Sequence, residues 1–137
     1  MAIFLDTNVL LDVLLERHPH YLASASLWTL CEQRRVEGQV AVISFNNAHC
    51  ILRKLKGRGA AERGVELLRD IFVPIALDLQ VLNQAIGARM NDFEDAIQYY
   101  SAVRGGAECI VTRNVGHFPK DGVRVMTPGE YLVARGV

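Results

Sequence analysis

The sequence predicts an α/β chain, a three-layer α/β/α arrangement around a mostly parallel central sheet of about five strands. Three observations point there. Apolar runs of strand length recur along the chain, segments with helical spacing separate them, and the runs lack the apolar–polar alternation of a half-exposed strand. Fully apolar strands belong in sheets covered on both faces, the setting of parallel strands joined by helices.

Residues 2–6 read as a buried first strand, and an apolar helix follows from about Asn8 to Glu16. Arg17-His18-Pro19-His20 interrupts it, because proline is compatible only with a new helix start. A second helix runs to about Arg35, with Ala23, Leu27, Leu30 and Cys31 on one face, and Gly38 ends it. Val40-Ala41-Val42-Ile43 is the second strand, and Ser44 is placed to cap a third helix that extends to about Leu55. Lys56-Gly57-Arg58-Gly59 turns the chain into a fourth helix, whose buried stripe is Ala61, Val65, Leu68 and Phe72. Val73 to Leu77 is a short strand that Pro74 assigns to a sheet edge, since proline cannot donate to a ladder. Asp78 caps a helix containing Leu82, Ala85 and Ile86; Asp92 caps another with Phe93, Ala96, Ile97 and Tyr100 on its inner face. Gly105-Gly106 stops that helix, Cys109 to Thr112 is the fourth strand, and Gly122 to Met126 the fifth. Thr127-Pro128, a cap followed by proline at the first helical position, opens a C-terminal helix.

With 137 residues, half of them apolar, the chain reads as one domain over 1–137 that needs neither disulfides nor a structural metal. No apolar run is long enough to span a membrane, and the N-terminus lacks a basic region followed by a long apolar stretch, so a cytoplasmic protein is expected. Cys31, Cys50 and Cys109 are widely spaced and read as reduced thiols; His18, His20 and His49 complete no zinc pattern. Fifteen basic and fifteen acidic residues cancel, which excludes a strongly basic nucleic-acid-binding domain but not a local basic stripe. Arg53, Lys54, Lys56, Arg58 and Arg63 form one such stretch. Neither GxGxxG nor GxxxxGK[ST] occurs, so dinucleotide binding and P-loop chemistry have no support.

In an open parallel sheet, ligands bind at the rim formed by the carboxyl ends of the strands. Asp6-Thr7-Asn8 follows the first strand, Ser44-Phe45-Asn46-Asn47 the second, and Thr112-Arg113-Asn114 the fourth, while Asp92-Phe93-Glu94-Asp95 opens a late helix. Each group has a local use as a cap or turn. Three acids in four residues exceed what a cap needs, and crowded like charges repel unless a cation or solvent compensates them. An oxygen-rich pocket suits a hard divalent cation.

Phe4-Leu5-Asp6-Thr7-Asn8-Val9-Leu10-Leu11-Asp12, Asp92-Phe93-Glu94-Asp95-Ala96, and Ile110-Val111-Thr112-Arg113-Asn114 with Phe118 resemble, in order and spacing, a PIN domain over essentially the whole chain. The resemblance implies a ribonuclease that hydrolyses single-stranded RNA with Mg²⁺ or Mn²⁺ held at the strand ends. VapC-like toxins of toxin–antitoxin pairs are among the short members, which implies an antitoxin partner and a homo-oligomer. Asp6 and Asp95 match the family's catalytic and metal-holding acids. Asn47 stands where the family carries Glu, and Asn114 where its Thr-x-Asp motif carries Asp; the Thr-Arg-Asn sequence is closest to one branch of PIN-like chains. Asn47, Asn114 and Asp92 complete the expected metal set, and Thr7, Asn8, Arg113 and His117 the expected substrate contacts.

Two other readings compete. A PIN fold that has lost its acids would bind RNA or protein without cutting. A haloacid-dehalogenase-like phosphatase also follows its first strand with Asp, but needs a second Asp where this chain has Asn8. Leucine-rich early helices, with Val9, Leu14, Leu15, Trp28 and Leu30, predict an interface there.

Overall fold

The computed structural model describes residues 1–136. Along the chain run β1 (Ala2–Leu5), α1 (Thr7–Leu14), α2 (Tyr21–Glu32), β2 (Glu37–Ala41), α3 (Val42–Lys56), α4 (Arg58–Ile71) and β3 (Val73–Ile75). They are followed by α5 (Leu79–Ala88), α6 (Phe93–Gly105), β4 (Cys109–Val111), a 3-10 turn at Val115–His117, β5 (Arg124–Met126) and α7 (Pro128–Arg135). All five strands pair in parallel in the order β3-β2-β1-β4-β5. The chain builds outward from β1 through β2 to β3, then returns to lay β4 on the other flank of β1. That reversal is a topological switch point, and a crevice opens there at the carboxyl ends of β1 and β4.

The two-residue period of the strands divides the core into two layers. Ile3, Leu5, Val40, Cys109 and Val111 face one way and pack with side chains of α1, α2, α3, α4 and α7. Phe4, Ala41 and Ile110 face the other way, onto Tyr99 and Ala102 of α6. Ala85 of α5 packs in turn on Ala96 and Ile97. The three-layer expectation holds, with β3 and its Pro74 at the edge as proline requires. Thr127 and Glu130 form the reciprocal capping box at α7. No helix is long and apolar enough to cross a membrane among the described residues, and all three cysteines are free, with Cys50 exposed.

Local signals misplaced β2. The strand covers Glu37–Ala41, three residues earlier than the apolar run suggests, and Val42 already opens α3. Pairing decides this, with Ile3 opposite Gly38 and Phe4 opposite Gln39. Gly38 is therefore a strand residue rather than a helix stop. A Cβ there would lie 2.6 Å from Phe72 Cδ1 and 2.8 Å from Cys31 Sγ, so only glycine fits between strand and helices. Gln39 is buried because its amide donates to the Gly105 carbonyl at 2.8 Å. Ser44 is inside α3 and not its cap. Ile86 and Phe93 are also turned to solvent, at 58% and 49% exposure, since α5 and α6 bury Val81, Ala85, Ala96 and Ile97 instead.

The apolar surplus of the early helices is used within the chain. Val9, Trp28 and Leu30 are buried, and Leu14 and Leu15 pack against the same core. The argument for an interface on those helices falls away; one outlier, Leu22, stays exposed.

Candidate functional site

Asp6 sits where β1 gives way to α1, on the switch-point rim. Its carboxylate is 5% exposed and fully hydrogen-bonded. Oδ1 accepts the Thr7 N–H at 2.8 Å, while Oδ2 accepts the Thr112 hydroxyl at 2.8 Å and the Asn8 amide at 3.3 Å. Thr112 Oγ1 also accepts the Asn114 N–H at 3.0 Å, so the ends of β1 and β4 are clasped together. Burial pushes the Asp6 carboxyl above its ordinary range; the hydrogen bonds and the nearby His117 and Arg113 only partly offset that.

The start of α6 faces Asp6. Asp92 caps the helix, its Oδ1 accepting the Asp95 N–H at 3.0 Å. Asp95 is pushed up to about 6, first by burial, then by the charges of Asp92 and Asp6, while His117, with Nδ1 3.4 Å from Asp95 Oδ2, works the other way. Glu94 is raised by burial and by Asp6, and its Oε1 accepts the Asn47 amide at 2.7 Å. Asp6, Asp95 and Glu94 thus lie within electrostatic reach of one another: the charge of Asp6 raises both Glu94 and Asp95, and Glu94 adds to the rise of Asp95. Beside them opens a cavity of about 650 Å³ lined by Arg89, Asp92, Asp95, Gly116 and His117 among others.

Behind the rim lies a polar cluster that ties its three carriers together. Gln98 Nε2 donates to Ser44 Oγ at 2.9 Å and to Thr7 Oγ1 at 3.2 Å, and the two hydroxyls are 2.7 Å apart. All three side chains are buried. Thr7 follows Asp6, Ser44 lies one turn before Asn47 on α3, and Gln98 one turn after Asp95 on α6. The cluster therefore fixes the separation of the elements that present the acids.

The expected residues divide accordingly. Asp6, Asp95 and, through Glu94, Asn47 come together. Asp92 is engaged as a helix cap. Asn114 reaches the rim through its backbone N–H and starts the 3-10 turn. Thr7 and Asn8, expected as substrate contacts, are turned inward: Thr7 onto Ser44 and Gln98, Asn8 onto Asp6 and the Arg113 N–H at 3.4 Å. Arg113 Nε lies 2.7 Å from Asp12 Oδ2, a fully buried carboxylate that also meets Arg17 at 3.1 Å. His117 is exposed on the cavity. Of the basic stretch, Arg53, Lys54 and Lys56 lie in the last turn of α3, about 9 to 14 Å along the helix beyond Asn47 at 1.5 Å per residue, and Arg58 and Arg63 belong to α4.

Sequence reasoning missed the placement of Glu94, the roles of Ser44 and Gln98, the buried Asp12, and Arg89. Two signals were available. Ser44 and Gln98 lie three residues from site positions on their own helices, which is the same helix face. Asp12 is a lone charge in the run Val9-Leu10-Leu11-Asp12-Val13-Leu14-Leu15, where an unpaired acid would be costly.

The donor chemistry fits a hydrated Mg²⁺ or Mn²⁺. The acids are hard oxygen donors whose mutual repulsion a divalent ion would relieve, and Mg²⁺ commonly takes one or two carboxylates and keeps several waters. Among the described residues no group of three or more His, Cys, Asp and Glu is arranged to hold a metal ion by itself.

Comparison with solved structures gives the fold independently. VapC20 from Mycobacterium tuberculosis, described as a sarcin-ricin loop cleaving toxin, superposes with a TM-score of 0.66 at 15% identity, covering 79% of this chain and 86% of that one. VapBC2 from Rickettsia felis, bound to a DNA fragment from its promoter, gives 0.70 at 12% identity over 93% and 98%. A toxin-antitoxin complex from Klebsiella pneumoniae gives 0.68 at 19% identity over 93% and 98%. No curated protein matches the chain at a significant level. The PIN domain family model matches residues 2–116. That span takes in the whole acidic rim, from Asp6 through Asn47, Glu94 and Asp95 to Asn114, and the chain belongs to the PIN domain family.

Proposed function

We propose that this chain is a divalent-metal-dependent endoribonuclease that hydrolyses single-stranded RNA in the cytoplasm, the single-domain toxin of a toxin–antitoxin pair. The observation that carries the reading is the convergence of Asp6, Glu94 and Asp95 at the switch point, all three raised by burial, with Glu94 and Asp95 raised further by the charge of Asp6. Toxin and toxin–antitoxin structures among the neighbours support the nuclease reading and an antitoxin partner.

Asp6 and Asp95 would hold the ion directly, with Glu94 supplying the charge that Asn47 and Asn114 lack. When bound, the ion would lower the pKa of an attacking water and neutralise charge on the phosphoryl oxygens. Asn47 holds the Glu94 carboxylate in place, Thr112 and Thr7 orient Asp6, and the Gln98 cluster keeps the helices in register. His117 and Arg89 line the adjoining cavity, where they would meet backbone phosphates. The exposed apolar side chains of α5, Leu79 and Ile86, together with Phe93, offer a surface for a second copy. A non-cutting PIN fold that binds RNA or protein is the second reading, favoured by the two amides at positions where the family carries acids.

The test is cleavage of a mixed pool of single-stranded RNA with Mn²⁺ and with EDTA. Cleavage that needs Mn²⁺ is expected; a protein that binds the pool and never cuts it would establish the second reading.

Restoring the acids gives a sharper expectation. Asn47→Glu removes the donor to Glu94 and sets two carboxylates against each other, so with Asn114→Asp the metal-free protein should melt lower than wild type. Mn²⁺ should then raise its Tm by more than it raises that of wild type, because ion binding to the native state is linked to folding. Each added carboxylate is worth about 1 kcal/mol or more beside a divalent ion. Thermal melts with and without Mn²⁺ check this, and equal metal-induced shifts would show that these positions do not face the ion.

A further inference from the structure

Thr112 is hydrogen-bonded to Asp6, and Arg113 follows it directly. Arg113 also lines a second groove of about 280 Å³, formed where the first turns of α2 and α7 meet, with His20, Ser24, Thr127 and Gly129 in its walls. Arg113 is the charged side chain of the groove: it pairs with Asp12, which it shares with Arg17, lies within reach of Asp6, and keeps 27% of its side-chain surface exposed. Ser24 is fully buried, yet its Oγ has no hydrogen-bond partner. Helical Ser and Thr commonly bond the carbonyl one turn back, as Ser26 does with Leu22 at 3.0 Å and Thr29 with Ala25 at 2.9 Å on the same helix. Ser24 is the exception, and it is the one of the three that lines the groove. No side chain caps α2 at His20, so the positive end of a twelve-residue helix is left uncompensated. Glu130, next to Gly129, has its carboxylate turned back onto the Thr127 N–H at 2.9 Å.

We propose that this groove binds a backbone phosphate of single-stranded nucleic acid, flanking the bond that is presented to the acidic rim. Arg113 supplies the charge, the Ser24 hydroxyl a buried donor, and the first turn of α2 its free N–H groups, the combination that recognises phosphate at helix N-termini. The proposal rests on the ribonuclease reading for its ligand and adds to it a place where the strand is held. It also gives Arg113 two partners, with Asp12 fixing the guanidinium from inside and the phosphate meeting it from outside.

His20→Glu and Gly129→Glu place negative charge in the groove without touching the acidic rim. Both positions are exposed, and a Cβ at Gly129 meets nothing within 4 Å, so the double variant should fold and melt like wild type. Gln33→Glu, at the exposed far end of α2, is the added-charge control. The probe is a labelled 2′-O-methyl oligoribonucleotide of mixed sequence in EDTA, which reads binding without metal and without cleavage. The double variant should bind about tenfold more weakly than wild type, with a salt dependence shallower by about one phosphate contact, while the control binds as wild type. Gly129→Glu alone repeats the measurement if the double variant melts early. Equal affinity of variant and wild type, or no binding by wild type, would overturn the groove. Wild type that binds the probe but cuts no RNA with Mn²⁺ would overturn the nuclease reading and leave the groove standing.

Discussion

Asp6→Asn and Asp95→Asn are each expected to lower Mn²⁺-dependent RNA cleavage by about a hundredfold or more, and Asp95→Asn should also stabilise the metal-free protein at neutral pH. The loss follows from removing one formal charge from a site whose affinity depends on the number of ionised ligands. The gain follows from the Asp95 carboxyl being raised from an ordinary 3.8 to about 6 by burial and by Asp92, Asp6 and Glu94. Between those two values the folded chain keeps a proton that the unfolded chain has released. The contribution of Asp95 to stability is therefore full below about pH 4 and lost as the pH rises through 6. At the full shift this is about 3 kcal/mol, and partial solvation of the site reduces it to about 1. Asn carries no charge to repel, so in EDTA at pH 7 the variant should melt about 3 °C higher, with the difference vanishing near pH 4. A variant that cuts RNA normally would remove Asp95 from the site; one that melts like wild type at both pH values would show that the acids do not crowd one another.

Asp12→Ala is expected to cost about 3 kcal/mol of folding free energy, the largest single loss of stability outside the apolar core. Asp12 is fully buried and holds two guanidiniums, Arg17 at 3.1 Å and Arg113 at 2.7 Å. Removing one member of a buried ion pair leaves the others uncompensated, at about 3–5 kcal/mol. The lower end applies because both arginines are partly exposed and can turn toward water. Arg17 also donates to the Asn8 carbonyl at 3.3 Å, so the loss reaches the segment that follows Asp6. Asp12→Asn should cost less, since an amide oxygen still accepts. The urea midpoint checks this, and a midpoint unchanged by Asp12→Ala would mean that the ion pairs offset no more than their own desolvation.

How far the candidate site could be read in advance depended on whether a residue acts through its own position or through a contact. Asp6 and Asp95 stand immediately after a strand and in the first turn of a helix, positions that local pattern and family spacing identify. Asp92 as a cap and Thr127 with Glu130 as a capping box are equally local. Glu94 was visible as charge, but that Asn47 would hold its carboxylate requires two helices 47 residues apart to meet. Gln98 carries no local signal in the sequence; only Thr7 and Ser44 arriving from two other elements make it the centre of a buried network. Arg113 was expected to face the substrate, and its link to Asp12 depends on the packing of α1 beside β4.

Sequence by itself determined the layer architecture, the alternation of strands with helices, the edge position of β3 and the acids presented at the rim. Each of these is set by short-range physics: apolar period, proline's missing donor, and carboxylates at helix starts. Tertiary structure alone decided the start of β2, the outward turn of Phe93 on α6 and the charge state of the site. Gly38 and Gln39 form a strand because Ile3 and Phe4 pair with them, and Gly38 has room for no side chain beneath Phe72 and Cys31. Burial pushes the Asp95 carboxyl up to about 6, and Asp92 and Asp6, brought beside it by the fold, add to that. Electrostatic coupling falls with distance and rises with desolvation, and both are fixed only when the chain has folded.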